Sequence, residues 1–181
     1  FQSYPTKLEN CDLFKIQLYK NLFKNKLDIG YQDHLSADDP LNYKTPVAAM
    51  KLGAKYLEKH VTIGRNKKGI DYYSSLEPYE FKKFVEFVRQ NENKKNINLG
   101  TILGKSNLNK ALGEETLEKM SPSEISYRNT VKKAWFLNRN ISRGKKINEK
   151  SIIMKRPDKL NSNNINLEAF RNKKLKKNVK K

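Results

Sequence analysis

The chain contains two histidines, and each ends a short apolar run beside a carboxylate. His34 closes Leu27-Asp28-Ile29-Gly30-Tyr31-Gln32-Asp33-His34, and His60 closes Tyr56-Leu57-Glu58-Lys59-His60. A stretch of helical character, Pro46 to Ala54, lies between the two runs. Strand, crossover helix and strand make a βαβ unit, whose strands lie parallel and side by side. Imidazoles at equivalent strand ends would then face one pocket, on the side where catalytic groups collect in parallel α/β folds. The chemistry such a pair could do is to hold a divalent metal ion. Spacing alone leaves a second reading open: two ordinary histidines, one capping a turn and one packed at a rim, since two ligands do not complete a coordination shell.

The elements that must position these residues are legible in outline. Phe1 to Thr6 reads as the tail of a strand with Tyr4-Pro5-Thr6 as its exit loop. Leu13 to Lys26 reads as an amphipathic helix, with Phe14, Leu18, Leu22 and Phe23 at helical intervals. The strand ending at His34 is followed by the loop Ser36-Ala37-Asp38-Asp39-Pro40, then a helix over Tyr43 to Leu52 with Gly53 at the C-cap. The strand ending at His60 is expected to run on into Val61-Thr62-Ile63. A polar loop from Gly64 to Tyr73 carries Arg65, Asp71 and two tyrosines. Ser75-Leu76-Glu77-Pro78 opens a further helix, because proline is tolerated in a first turn, with Phe81, Phe84, Val85 and Val88 on one face. From Gly100 to Ser126 the pattern fades into a connection with one short helix expected at Glu114 to Met120. Beyond it, Ala134-Trp135-Phe136-Leu137, Lys146-Ile147 and Ser151-Ile152-Ile153-Met154 are short β-like runs separated by turns. Alternating strands and helices followed by short strands imply an α/β domain and a separate small β-rich module.

Composition bounds the function class. Lys and Arg number 38 against 19 Asp and Glu, a formal charge of +19 that invites a nucleic-acid partner. The excess is mostly Lys, reads as spread along the chain, and comes with abundant Asn, as codon bias would produce. The aromatics Tyr72, Tyr73, Phe81, Phe84 and Phe87 fall at spacings suited to a core rather than to base stacking. The Lys-dominated excess and the aromatic spacing therefore argue against nucleic acid as the partner. No segment approaches the roughly 18 apolar residues of a membrane span. Cys11, the lone cysteine, forbids an internal disulfide and fits a cytoplasmic location. The chain opens on Phe1 rather than Met and stops in a Lys-rich run, and is read as a fragment.

Six motifs in order resemble one family, the sialic acid synthases: Tyr4-Pro5-Thr6, Gly30-Tyr31-Gln32-Asp33-His34, Gly53-Ala54, Glu58-Lys59-His60, Gly69-Ile70-Asp71 and Ser75-Leu76-Glu77-Pro78. Ser121-Pro122-Ser123-Glu124 resembles the linker before the family's C-terminal module, and Ile141 to Gly144 with Lys155-Arg156-Pro157 resemble its antifreeze-like domain. The resemblance implies the C-terminal part of a (β/α)8 TIM barrel over residues 1–104, a linker over 105–130, and a small β-rich antifreeze-like (β-clip) domain over 131–181. It implies condensation of phosphoenolpyruvate with an N-acylated aminosugar to a nonulosonic acid, with loss of phosphate. It also tips the choice at the histidines toward metal.

Carried over by resemblance, His34 and His60 are ligands of Mn²⁺ or Mg²⁺, and Glu58 is a carboxylate near the metal that assists proton transfer, or else a structural salt bridge. Asp71 and Tyr4 match residues of the sugar pocket, and Asp33 either orients the His34 ring or caps a loop. Gln32 and Gln2 stand where family members carry Ser and Asn, respectively, in substrate contact. Arg156 matches an arginine that reaches the neighbouring subunit's site, which implies a homodimer. The departures at Gln32, Gln2, the loop Leu35 to Tyr43 and Asp158-Lys159-Leu160-Asn161 point to an acceptor sugar other than N-acetylmannosamine. The alternative from a different class is a basic nucleic-acid-binding module without catalysis.

Overall fold

The computed structural model describes residues 4–94, 97–156 and 173–180. The chain divides into two compact units, Phe1–Glu124 and Ile125–Lys181. In the first, α1 (Lys15–Leu22), β1 (Gly30–Asp33), α2 (Lys44–Lys51), β2 (Tyr56–Lys59), α3 (Pro78–Glu92), α4 (Leu99–Leu103) and α5 (Lys105–Leu112) follow in order. β1 and β2 are parallel, in register from Gly30↔Tyr56 to Asp33↔Lys59. Single parallel bridges, Thr6↔Leu35 and Val61↔Leu76, extend the arrangement on either side. The βαβ unit expected from the two histidine runs is therefore present.

The local chemistry explains the layering. β1 turns Tyr31 and Asp33 inward to the helices and leaves Gly30 and Gln32 on the exposed face, the two-residue period of a strand covered on one side. α2 buries Thr45 to Ala49 against it. Ala48 and Ala49, fully buried, join Val47, Leu13, Leu35 and Leu103 in the core, and their small side chains let the helix lie close to the strands. α2 ends in a Schellman motif: the N–H of Gly53, at φ +107°, bonds the carbonyl of Met50, and that of Ala54 bonds Ala49. α3 opens with Pro78 and a capping box in which the side chains of Glu77 and Glu80 take up the first-turn amides. Phe84 buries with Leu76 and Ala37 in a second cluster.

Three expectations needed correction. α1 spans Lys15–Leu22 rather than Leu13 to Lys26, because Lys24 and Asn25 adopt positive φ and end the helix. β2 stops at Lys59; beyond it only Val61 bridges, and Ile63 is 81% exposed. No helix forms over 114–120. Instead α5 lies before that stretch and α6 (Pro122–Val131) after it. The carbonyls of Ala111 and Leu112 at the end of α5 accept the N–H groups of Leu13 and Phe14, at 3.0 Å each, so one helix end satisfies another helix start. α6 begins with a reciprocal cap: Ser121 N–H donates to Glu124 Oε2 at 2.7 Å and Glu124 N–H donates to Ser121 Oγ at 3.2 Å.

The second unit is β-rich. β3 (Ala134–Leu137) and β4 (Ile152–Lys155) pair antiparallel, from Ala134↔Lys155 to Leu137↔Ile152. Antiparallel bridges Ile141↔Val179 and Lys146↔Lys174 join two further segments. The unit division also revises the reading of charge. Residues 125–181 hold 18 of the 38 basic side chains and only three of the 19 acidic ones, so the excess is concentrated, not evenly spread. Among the described residues no helix is long and apolar enough to cross a membrane.

Candidate active site

His34 and His60 each follow the last paired residue of their strand, β1 and β2, and the parallel register carries them to the same end. Their rings lie 5.0 Å apart between centroids at 35°. The Tyr4 ring meets both edge-on, at 6.1 Å and 82° from His34 and at 6.2 Å and 67° from His60. Three hydrogen bonds fix the surrounding backbone. The carbonyl of His34 accepts Thr6 N–H at 2.9 Å and Ser74 Oγ–H at 2.7 Å, and that of His60 accepts Leu76 N–H at 2.9 Å.

The loop after β2 brings in the acidic partner. Asp71 takes a left-handed conformation, φ +59°, which Asp tolerates better than most residues. Its Oδ2 stands 3.9 Å from His60 Nδ1, with both side chains partly exposed. The loop is tied down twice. The Tyr4 hydroxyl accepts the Tyr73 amide at 3.0 Å. At the other stem the Arg65 guanidinium grips the Glu80 carboxylate with both NH groups and donates to the Ser75 carbonyl at 3.3 Å, while Arg65 N–H donates to Glu77 Oε1 at 2.9 Å. Arg65 raises no expectation in the sequence, since its partner lies fifteen residues away on another element.

Electrostatics follow from these contacts. Burial is the main force that pushes the Tyr4 phenol above 10.0; hydrogen bonds from the Tyr73 and Ser74 backbone oppose it and the charge of Asp71 adds to it. Tyr4 therefore stays a neutral hydroxyl at physiological pH and, while accepting from Tyr73, keeps its own proton to donate. The Arg65 hydrogen bonds hold the Glu80 carboxyl below its ordinary 4.5.

Gln32 and Glu58 are register partners, both exposed, two residues before their respective histidines. The strand period thus places them on the histidine side of the sheet. Asp33 lies on the opposite face, with both oxygens engaged: Oδ1 accepts Tyr31 OH at 3.0 Å and Thr45 Oγ–H at 3.2 Å, and Oδ2 pairs with Lys59. Its described contacts are those of a structural ion pair; none of them reaches the His34 ring or caps a loop. Arg156 is exposed, immediately after β4 in the second unit. Gln2 lies outside the described residues, as does the segment Asp158 to Asn161. A cleft of about 220 Å³ between α1 and β1, lined by Cys11, Lys15, Tyr19, Gln32 and His34, reaches the first histidine of the pair.

The donor set fits a divalent ion in part. Imidazole nitrogens bind a metal at about 2.1 Å, so two rings on one ion stand roughly 4.5–5 Å apart when they occupy adjacent positions. The His34–His60 separation matches that. Among the described residues no group of three or more His, Cys, Asp or Glu is placed to hold a metal. Two imidazoles with the remaining positions open suit an ion that shares its shell with water and substrate oxygens.

Comparison with known proteins decides the family. The NeuB family pattern matches residues 1–98. The chain belongs to the NeuB family. It is 32% identical over 154 residues to the N,N'-diacetyllegionaminic acid synthase of Campylobacter jejuni, an alignment covering 85% of this chain and 39% of that protein. It is 39% identical over 87 residues to the mouse N-acetylneuraminate-9-phosphate synthase, covering 48% of this chain and 23% of that one. Among solved structures, the spore coat polysaccharide biosynthesis protein SpsE of Bacillus subtilis superposes with a TM-score of 0.64 at 29% identity, over 84% of this chain and 40% of the other. This NeuB-family chain thus spans about two fifths of the length of the Campylobacter and Bacillus relatives.

Proposed function

We propose that the intact protein condenses phosphoenolpyruvate with an N-acylated aminosugar to form a sialic-type nonulosonic acid. The observation that carries the reading is the His34–His60 pair at the ends of adjacent parallel strands, flanked by Tyr4 and Asp71, in a chain of the NeuB family. In this reading the parallel segments from Thr6 to Leu76 are consecutive strands of a (β/α)8 barrel, with the site at their C-terminal mouth. The second unit is an antifreeze-like domain, and Arg156 serves the site of a partner subunit in a homodimer.

His34 and His60 would hold the metal, and two imidazoles favour Mn²⁺ over the more strictly oxygen-seeking Mg²⁺. Bound there, such an ion supplies Lewis acidity toward a carbonyl oxygen. C3 of phosphoenolpyruvate bonds to the aldehyde carbon of the open-chain sugar, whose oxygen takes up a proton. Water adds at the electron-poor C2, losing a proton, and the C–O bond to phosphate then breaks. Asp71 accepts a sugar hydroxyl, Tyr4 donates to a second oxygen, and Glu58 moves a proton on the histidine face of the sheet. Gln32 offers an amide to the carboxylate or phosphate of phosphoenolpyruvate, and Gln2 is assigned the same neighbourhood.

The test is phosphate release from phosphoenolpyruvate by the intact protein across a panel of N-acylated hexosamines, with Mn²⁺ and with chelator. Metal-dependent release with one sugar, abolished in His60→Ala, is the expected result. No release with any sugar, together with duplex DNA binding at low salt, would turn the reading to a basic binding module built on the second unit.

A further inference from the structure

Beneath the histidine pair, on the other face of the same strands, lies a buried ion pair that the proposed chemistry does not use. Asp33 and Lys59 are register partners, and each immediately precedes a histidine. Their side chains are 0% and 1% exposed. Around them Tyr31 and Thr45 donate to Asp33, and Lys59 donates a second bond to the Asn42 carbonyl at 3.2 Å. One network therefore joins β1, β2, α2 and the loop that leads into α2.

Stability does not account for such a pair. Desolvating two charges costs several kcal/mol, and well-packed apolar residues of similar volume often do as well or better. What apolar residues cannot do is hold two strands in one register with directional bonds. β1 and β2 share only four residue pairs, and Asp33↔Lys59 is the last before the histidines. A slip of one residue would turn an imidazole from the open face to the helix face. We infer that Asp33 and Lys59 are positioning residues: their ion pair, anchored by Thr45 and the Asn42 carbonyl, sets the distance and orientation at which His34 and His60 present their nitrogens to a divalent cation.

The inference rests on the metal-binding reading, and the test separates the two. In the intact protein, Mn²⁺ affinity is measured by the loss of the free-ion electron paramagnetic resonance signal on titration, and thermal unfolding is followed alongside. His60→Ala abolishes binding. The apolar double variant Asp33→Leu/Lys59→Met removes the partners of the Tyr31 hydroxyl and the Asn42 carbonyl and unfolds at a lower temperature; measured well below that temperature, it loses affinity roughly ten- to hundredfold, the range for supporting residues around a metal site. Thr45→Val keeps both charges and removes one anchor. It loses affinity in the same direction, so the inference stays testable should the double variant not fold. Wild-type affinity in folded Thr45→Val and in the folded double variant, with His60→Ala silent, overturns the inference alone. No Mn²⁺ binding by wild type overturns the metal reading and the inference with it.

Discussion

Asp71 is the residue on which the sugar reading bears most directly. A charged acceptor lost from a substrate hydroxyl costs about 1.5–3 kcal/mol, and a neutral hydrogen bond about 0.5–1.5. Asp71→Asn should therefore lower kcat/KM for the sugar by roughly 10- to 100-fold, and Tyr4→Phe by about 3- to 10-fold, with KM for phosphoenolpyruvate little changed. Steady-state kinetics with each substrate varied in turn checks both; equal losses for the two substrates would remove Asp71 from the sugar side. His34, His60, Asp71 and Tyr4 were legible as a set only through the order of six motifs. Lys59 and Arg65 were not, although strand alternation already put residues 33 and 59 opposite the histidine face. What the sequence withheld was that the two side chains on this opposite face are fully covered, which turns Asp33 from a neighbour of His34 into the partner of Lys59.

At the level of elements, the loop that delivers Asp71 depends on the Arg65–Glu80 clamp at the start of α3. Glu80 has a depressed folded-state pKa, so its contribution is present above the ordinary value of 4.5 and is lost as pH falls through the lower folded value. The thermal stability gap between wild type and Glu80→Gln should be open at pH 7 and should close as pH falls below the ordinary 4.5 and through the lower folded value. Scanning calorimetry at several pH values reads this, and a gap that persists in acid would assign the effect to packing. In the core, Leu35 is fully buried beside the site-bearing strand. Leu35→Ala should cost about 2–5 kcal/mol, measured by denaturant titration of the intact protein. Helices with their own punctuation were readable: Pro78 and Glu77/Glu80 mark α3, and Gly53 ends α2. Ser121-Pro122-Ser123-Glu124 carries the same signal for α6, a capping box with proline in the first turn, although as a motif it resembles a linker. α5 was missed because its place is decided by the amides of Leu13 and Phe14, nearly a hundred residues earlier.

For the whole molecule, the first unit leaves large apolar side chains open around the site: Val61 at 59%, Ile63 at 81% and Ile70 at 95% exposure. These exposed apolar groups argue that the 181-residue polypeptide expressed alone lacks a cooperative melt. Circular dichroism decides it, and a sharp reversible transition would sink the prediction. The sequence by itself determined the family, the βαβ unit around the two histidines and the β-rich character of the second unit, because these rest on local periodicity and on motif order. Tertiary structure alone decided the 5.0 Å approach of the imidazoles, the arrival of Asp71 at His60, the burial of Asp33 with Lys59, and the ends of α1 and β2. The first three are contacts between groups on separate elements, and the ends of α1 and β2 follow from backbone conformation and pairing at those points. Which distant groups meet is set by strand register and by which face the helices cover, and neither is written in any short stretch of residues.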